Sequence, residues 1–339
     1  MDGESIDLDI ASATNATPTP KRKRPDDPTY DDLPVPNEIL GLILARLGPM
    51  DVPTAKRVRR RWEALAPQTL HSNRRYTAAL ARAGRLTVLA WARANGYQWA
   101  TQVCSAAAGG GHLEVLKWAR ANGCPWDEWT CTDAAAYGHL DVLQWARENG
   151  CPWDRATCLH AAYRGNLEVL QWARANGCPW DASACAYAAG GGHLEVLQWA
   201  RANGCPWDAQ TCAYAAAGGR LEVLQWAHEN GCPWNGLTCA TAARGGRLEM
   251  LQWARANGCP WDAQTCAYAA IGGHLEILWW AQVNGCPWDA RTCTSAAECG
   301  HLGVLMWARA WGCPWDKQTC ERRARRRYPK VAEWIRAHA

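Results

Sequence analysis

A tripeptide, Cys-Pro-Trp, returns at a constant interval along most of this chain. It begins at residues 124, 151, 178, 205, 232, 259, 286 and 313, so each copy lies 27 residues after the one before. A period of roughly 20 to 50 residues predicts an array of stacked units that bury their apolar faces against each other. The period therefore argues against ordinary independent domains in this part of the chain.

The 27 residues of one unit predict two short helices. In the unit 205–231, Asp208 can cap a first helix that ends at Gly218-Gly219. A second helix follows at once from Leu221 and closes at Asn230-Gly231. Isolated helices below roughly 12 to 15 residues are marginal in water, so one unit cannot stand alone. Stacking must therefore stabilise the array.

Tryptophan and cysteine follow the same period. Two series hold 19 of the 23 tryptophans, and two series hold 17 of the 18 cysteines. The tryptophans could stack nucleic-acid bases, but a residue repeated in every unit favours packing. The two cysteines of a unit lie seven residues apart and the chain has no Cys-x-x-Cys. We therefore expect free thiols in small apolar core positions, with no metal and no cofactor.

The unit resembles the ankyrin repeat. Residues 211–224, Thr-Cys-Ala-Tyr-Ala-Ala-Ala-Gly-Gly-Arg-Leu-Glu-Val-Leu, follow the first helix, the glycine turn and the start of the second helix in that family. The family's period is about 33 residues, and the missing six fall where its β-hairpin lies. The resemblance implies an all-α helical solenoid over residues 72–339, built of ankyrin-like helix pairs with reduced hairpin loops. It would contain about nine units and a C-terminal cap.

Residues 32–71 differ from the repeats and predict a small domain of three short helices. Val35-Pro-Asn-Glu-Ile-Leu40, the leucine-rich helix after it and the segment 58–65, Val-Arg-Arg-Arg-Trp-Glu-Ala-Leu, resemble an F-box. The resemblance implies docking on a Skp-type adaptor of a cullin ubiquitin ligase. The implied contact residues are Pro36, Leu40, Leu44, Leu47 and Val52. The alternative is a helical cap on the array.

Residues 1–31 are rich in Asp, Ser, Thr and Pro, and they predict a disordered tail. Its basic run, Pro20-Lys-Arg-Lys-Arg-Pro25, fits a nuclear localisation signal and equally a solvated charge cluster. The start of the chain lacks the basic and apolar regions of a secretory signal. We expect a cytoplasmic protein, and the basic run leaves a nuclear location open.

The net charge and the motifs that the chain lacks argue against several classes of function. Lys and Arg number 36 against 32 Asp and Glu, and the net charge of +4 is too small for an obligate nucleic-acid binder. No apolar stretch approaches the roughly 18 to 20 residues that span a bilayer. The chain has no phosphate loop, no nucleophile elbow and no paired carboxylates outside repeated surface positions. We therefore expect a non-enzymatic, monomeric binding protein with a protein client and neither a membrane nor a nucleic-acid partner.

Stacking between units fixes the residue type at the repeated positions. Positions whose residue varies between units are therefore available to bind a client. Two varied positions lie on the first helix, after its cysteine and before the glycine turn, and the ankyrin resemblance places the second group on the concave face. Interfaces favour Tyr and Arg. The candidate client-binding residues are Tyr137, His160, Tyr163, Arg164, Tyr187, Tyr214, Arg244, Tyr268, Ile271 and Glu298. Tyr187, Tyr214 and Tyr268 could equally pack on neighbouring first helices.

Two further repeat features favour a structural explanation. A polar residue, His, Arg or Asn, starts each second helix, and this variety indicates a hydrogen bond between neighbouring turns rather than catalysis. The arginine run at 322–327 could contact nucleic acid or an acidic partner. A polar cap on the last unit also accounts for it and requires no partner.

Together these features predict a substrate receptor of a Skp-cullin-F-box ligase, in which the array presents a client for ubiquitylation. Chains that join an F-box to ankyrin-like Cys-Pro-Trp repeats resemble those of giant DNA viruses of amoebae, of the pandoravirus type. That resemblance implies capture of a host ligase. The alternative is a ligase-independent scaffold or decoy that binds a host protein.

Overall fold

The computed structural model describes residues 74–94 and 96–338, which belong to one compact unit, Thr69–Ala339. These residues form twenty α-helices and no β-strand. The helices are α1 (Arg74–Arg82), α2 (Leu86–Ala94), α3 (Thr101–Gly109), α4 (Leu113–Ala121), α5 (Glu128–Ala136), α6 (Leu140–Glu148), α7 (Arg155–Arg164), α8 (Leu167–Ala175), α9 (Ala182–Gly191), α10 (Leu194–Ala202), α11 (Ala209–Ala217), α12 (Leu221–Glu229), α13 (Gly236–Arg244), α14 (Leu248–Ala256), α15 (Ala263–Gly272), α16 (Leu275–Val283), α17 (Ala290–Glu298), α18 (Leu302–Ala310), α19 (Lys317–Ala324) and α20 (Pro329–Ala337).

Odd-numbered helices are the first helices of the units and even-numbered helices are the second. At the start of α11, Asp208 Oδ1 accepts a hydrogen bond from the backbone N of Gln210 at 2.9 Å, as the sequence predicts. Gly219 and Gly231 lie before and after α12 with φ of +70° and +79°. Glycine suits both positions, because the left-handed conformation costs it nothing.

One core runs through the stacked helix pairs. Each odd-numbered helix packs on the next odd-numbered helix and on the even-numbered helix of its own unit. The odd-numbered helices contribute small buried residues, such as Cys212 and Ala215, so their backbones can approach closely. The even-numbered helices contribute one fully buried leucine per unit, at residues 89, 116, 143, 170, 197, 224, 251, 278 and 305. The all-α helix-pair stack predicted for this region is therefore confirmed.

The cysteines are core residues. All 18 are free thiols, and 17 of them are buried. Cys232 Sγ, at the start of one unit, donates to the carbonyl oxygen of Asp208 in the preceding unit at 3.4 Å. Cys212 hydrogen-bonds Cys232, and this bond, together with burial, raises the pKa of Cys212. The thiol of Cys212 therefore stays neutral at physiological pH.

A compact turn occupies the place of the ankyrin hairpin. Six residues, 203–208, separate α10 from α11 and contain no strand. The Arg201 guanidinium lies 4.2 Å above the Trp207 ring and donates to the carbonyl oxygen of Cys205. Trp207 in turn meets Trp226 of α12 edge to face, with ring centroids 5.9 Å apart. The same pattern recurs in most units, and we call it the arginine–tryptophan ladder.

The predictions for residues 1–71 lie outside the described residues. They comprise the N-terminal tail, the F-box-like segment and the adaptor contacts Pro36, Leu40, Leu44, Leu47 and Val52. The proposed domain boundaries therefore stay predictions. In the described part of the chain, no helix combines the length and the apolar character that a membrane span requires.

Candidate protein-binding surface

All ten candidate client residues belong to the layer of odd-numbered helices. Tyr137 directly follows α5; His160, Tyr163 and Arg164 lie on α7, Tyr187 on α9, Tyr214 on α11, Arg244 on α13, Tyr268 and Ile271 on α15, and Glu298 on α17. Tyr137, Tyr163, Arg164, Arg244 and Glu298 are exposed, and the other five are half-buried. Because these helices stack in sequence, we call their shared exposed side the odd-helix surface.

Three tyrosines from successive units form a continuous line on this surface. The ring centroids of Tyr163 and Tyr187 are 5.8 Å apart, and those of Tyr187 and Tyr214 are 5.3 Å apart. Gly190 lies beside the Tyr214 ring, where an added Cβ would already be in tight contact at 3.4 Å. We call Tyr163, Tyr187 and Tyr214 the tyrosine row. It combines packing between units with exposed aromatic surface, so both sequence interpretations apply to the same residues.

Two arginines flank the exposed ring of Tyr137. The guanidinium carbon of Arg82 lies 4.8 Å from the ring centroid and that of Arg164 lies 5.4 Å from it. Arg164 also lies 6.0 Å from the ring centroid of Tyr163, which joins this group to the tyrosine row. Neither arginine forms an ion pair with another described residue. Their N–H groups thus stay available for carboxylates or carbonyl oxygens of a partner.

The remaining candidates do not join this group. Thr241 occupies the tyrosine position of the next unit, where it is buried and donates to the carbonyl oxygen of Ala213 at 3.0 Å. Beyond it, Arg244 lies over the Tyr268 ring as a separate pair at 6.0 Å. Glu298 binds Arg323 of α19 at 2.8 Å, so its charge is already neutralised. The structure thus divides the predicted residues into a main cluster and outlying positions.

Sequence reasoning missed two exposed contributors. Trp129, on α5, is 51% exposed, and its ring lies 6.2 Å from that of His160. Arg82, on α1, belongs to the surface through Tyr137. One sequence feature would have found Trp129: it is one of the four tryptophans outside the two repeating series. The others are Trp62, Trp279 and Trp311.

The polar residue before each even-numbered helix is structural. His112 Nε2 hydrogen-bonds the carbonyl oxygen of Arg82 at 3.0 Å, and Asn166 Nδ2 donates to the carbonyl oxygen of Ala135 at 2.8 Å. Each bond reaches the odd-numbered helix of the preceding unit, α1 for His112 and α5 for Asn166, as the repeat pattern predicts. His160 lies elsewhere, on the odd-helix surface, and burial together with the charge of Arg164 lowers its pKa.

The geometry supports contact with a macromolecule. Along residues 74–94 and 96–338, no three His, Cys, Asp or Glu side chains come together in a way that could hold a metal ion. The odd-helix surface instead presents flat aromatic rings and free guanidinium groups over several units. Aromatic residues and arginine are enriched at the energetic centres of protein interfaces.

Stacked helix pairs with an extended exposed side define a helical repeat protein. Residues 131–174 and 158–201 match the family model for ankyrin repeats in many copies. These two matches overlap and together span residues 131–201, so that part of the chain is similar to ankyrin repeats. The crystal structure of the human ASB11 ankyrin repeat domain is similar over 46% of this chain and 84% of that chain, with 19% identity and a TM-score of 0.39. No curated protein matches the chain in sequence.

Proposed function

We propose that the odd-helix surface binds a protein client through the tyrosine row and the Arg82–Tyr137–Arg164 group. The observation that carries this proposal is the placement of exposed Tyr and Arg side chains at positions where other units have Ala or Gly. Residues equivalent to Tyr163 include Gly190 and Ala217, and residues equivalent to Arg164 include Gly191 and Gly218. Stacking does not require these large side chains, so they serve another purpose.

Photo-crosslinking tests this surface directly. A photoreactive phenylalanine analogue replaces Tyr163 or Tyr187 in the full chain, and a matched control carries it at Gln171, an exposed position of α8. We expect a discrete crosslinked protein from Tyr163 and Tyr187 and none from Gln171. Equal crosslinking from all three positions would reject the surface.

A paired substitution measures its contribution. We expect Tyr163→Gly with Arg164→Gly to weaken binding of the crosslinked client by at least about 30-fold, the size of an interface hot spot. Both substitutions introduce residues that the next unit carries at the same positions, Gly190 and Gly191. A variant that keeps its helicity and its affinity would contradict the proposal.

For the whole chain we propose a substrate receptor of a Skp-cullin-F-box ubiquitin ligase. Its support is the F-box resemblance of residues 32–71 joined to a client-binding array. The adaptor contacts would be Pro36, Leu40, Leu44, Leu47 and Val52, on the pattern of that family. The giant-virus resemblance adds a host-cell setting, in which the chain would divert the host's ligase.

Copurification from host cells tests the ligase proposal. We expect the intact chain to recover a Skp-type adaptor, and Leu40→Asp with Leu44→Asp to lose the adaptor but keep the client. Equal adaptor recovery with the variant, or none with the intact chain, would reject it. The second candidate is a scaffold or decoy, for which removal of residues 1–71 would leave all activity unchanged.

A further inference from the structure

The even-numbered helices near the C-terminus carry exposed apolar side chains that the proposed function does not use. Among the described residues, large exposed hydrophobic side chains number eight, and five of them lie on α16 and α18 or directly after α18. These five are Leu275, Trp279, Val283, Met306 and Trp311. Trp279 is 48% exposed, Val283 61% and Trp311 58%. Large exposed apolar side chains gathered on two neighbouring helices of a folded protein indicate an interaction site.

Repeat symmetry shows how unusual this patch is. Between α6 and α8 lies a groove lined by Gln144, Arg147, Glu148, Trp153, Trp172 and Asn176. The equivalent residues five units later are Trp279, Gln282, Val283, Trp288, Trp307 and Trp311. Both charged residues of the first groove are lost, and only one polar residue remains. We call these six residues the apolar groove, because they occupy the repeat positions that line the groove between α6 and α8.

Stacking does not select these apolar residues. The position of Trp311 is Asn at all eight preceding repeat positions, and in the nearest of them Asn284 Nδ2 donates to the carbonyl oxygen of Trp280 at 2.8 Å. Trp311 cannot make that helix-capping bond, and its ring stacks on Trp307 with centroids 5.3 Å apart. The chain has thus replaced a bond that stabilises the helix end with an exposed aromatic ring. A bound partner would account for that exchange.

Charges on either side of the groove indicate what the partner is. The second residue of each even-numbered helix is acidic from Glu114 through Glu276, becomes Gly303 on α18, and is Lys330 on α20. Glu276 and Lys330 are exposed, and neither forms an ion pair with another described residue. The charge at this helix position therefore changes from negative on α16 to positive on α20, and the uncharged Gly303 of α18 lies between them in the sequence.

The charges of α16, α18 and α20 are complementary to those of the same three helices in a second copy of the chain, taken in the opposite order. A two-fold axis parallel to the helices, passing by α18, would place α16 of one copy against α20 of another. Glu276 would then face Lys330 of the second copy, and the reverse contact would form as well. Isologous interfaces require this kind of self-complementary pattern.

We propose that the apolar groove and its flanking charges form a two-fold interface between two copies of this chain. This interface differs from the expectation of a monomer stated in the sequence analysis. It uses the even-numbered helices and leaves the odd-helix surfaces of both copies free. A dimer would thereby present two client surfaces at once.

Sedimentation equilibrium of the full chain tests the proposal, at concentrations up to about 100 µM. We expect a dimer, and we expect Trp279→Gln with Trp311→Asn to raise its dissociation constant by at least about 30-fold. These substitutions restore the residues of the other units, so the fold tolerates them. Val283→Glu, which restores the residue of Glu148 and Glu229, is an independent second variant with the same expected effect.

Charge exchange tests the geometry. We expect Glu276→Lys and Lys330→Glu each to weaken the dimer by about twofold to fivefold, and the double variant to recover wild-type affinity. Glu222→Lys, at the same repeat position two units away, is the control and should change nothing. Glu333 of the second copy would face Trp279, so Glu333→Gln should tighten the dimer.

Three results would overturn the proposal. The first is a monomeric wild-type chain over the whole concentration range. The second is a dimer that survives both groove variants with helicity unchanged by circular dichroism. The third is a double charge variant no tighter than its single variants, which would rule out the contact between Glu276 and Lys330. Client crosslinking from Tyr187 is independent of all three results.

Discussion

The odd-numbered and even-numbered helices hold the array together in different ways. Odd-numbered helices approach each other backbone to backbone: a Cβ on Gly218 would lie only 2.3 Å from the carbonyl oxygen of Gly190 in the preceding unit. Even-numbered helices are linked through side chains, where Arg201 covers Trp207 and Trp207 meets Trp226. The first layer therefore tolerates few changes of size, whereas the second depends on particular ring and guanidinium contacts.

Each layer also has a region that departs from its own pattern. On the odd-numbered helices, Tyr163 and Arg164 enlarge a surface where the next two units carry only Ala and Gly at the same positions. On the even-numbered helices, Trp279 and Trp311 replace Gln and Asn. In a chain of near-identical units, such departures separate the residues required for stacking from those available for binding.

The largest expected effect lies in the core that both layers share. Leu224 is fully buried on α12. We expect Leu224→Ala to lower the free energy of unfolding by about 2 to 5 kcal/mol, through lost burial and the cavity left behind. Urea unfolding followed by circular dichroism measures this change. The control is Glu229→Ala at an exposed position of the same helix, which should stay within about 0.5 kcal/mol. Comparable losses for both variants would contradict the assignment of the core.

The next effect tests the close approach of the odd-numbered helices. A Cβ at Gly191, the last residue of α9, would lie 2.5 Å from the carbonyl oxygen of Tyr163. Backbone must move to relieve this contact, so we expect Gly191→Ala to lower the free energy of unfolding by about 1 to 3 kcal/mol. The same change should displace Tyr163 and weaken client binding.

Gly245 supplies a matched control at the same repeat position. There the nearest atoms to an added Cβ lie at 3.5 Å, which is ordinary contact, and φ is −81°. We expect Gly245→Ala to be neutral or slightly stabilising. If the two alanine variants unfold at the same urea concentration, close backbone approach is not what constrains this layer.

A smaller effect tests the arginine–tryptophan ladder. The unit 259–285 shows the natural alternative. There Gln282 Nε2 donates to the carbonyl oxygen of Cys286 at 2.9 Å, and no guanidinium of the described residues covers Trp288. Arg201→Gln should therefore keep the hydrogen bond and lose only the cation–π contact. We expect a loss of about 0.5 to 1 kcal/mol in urea unfolding. Arg201→Ala removes both contacts and must cost more, or the ladder contributes nothing.

Local features were predictable from sequence, and contacts between units were less so. The Asp208 cap and the Gly219 turn follow from a few neighbouring residues, and both are confirmed. The hydrogen bond from Cys232 Sγ to the carbonyl oxygen of Asp208 joins residues 24 positions apart, and the sequence does not reveal this contact. The sequence supplied ten candidate residues of the odd-helix surface but missed Trp129 and Arg82. The interruption of the surface at Thr241 depends on how one side chain fits beneath the preceding helix.

The smallest effect concerns protonation of His160 on the odd-helix surface. Burial lowers its pKa, and the charge of Arg164 adds to the shift. The unfolded chain, with a pKa of about 6.5 at this histidine, then binds more protons than the folded chain as the pH falls through that value. The contribution of His160 to the free energy of unfolding is therefore fully present above its unfolded pKa. It is lost as the pH falls, and the loss is complete below its folded pKa.

Titration of the His160 ring by NMR measures this shift, and Arg164→Gln separates its two causes. We expect the midpoint in the wild-type chain to lie below that of a free histidine. Arg164→Gln should raise the midpoint only part of the way, because burial of the ring remains the larger cause. Full recovery of the free value would mean that the charge of Arg164 dominates. The ring would then be more accessible to solvent, and to a client, than its packing against Trp129 indicates.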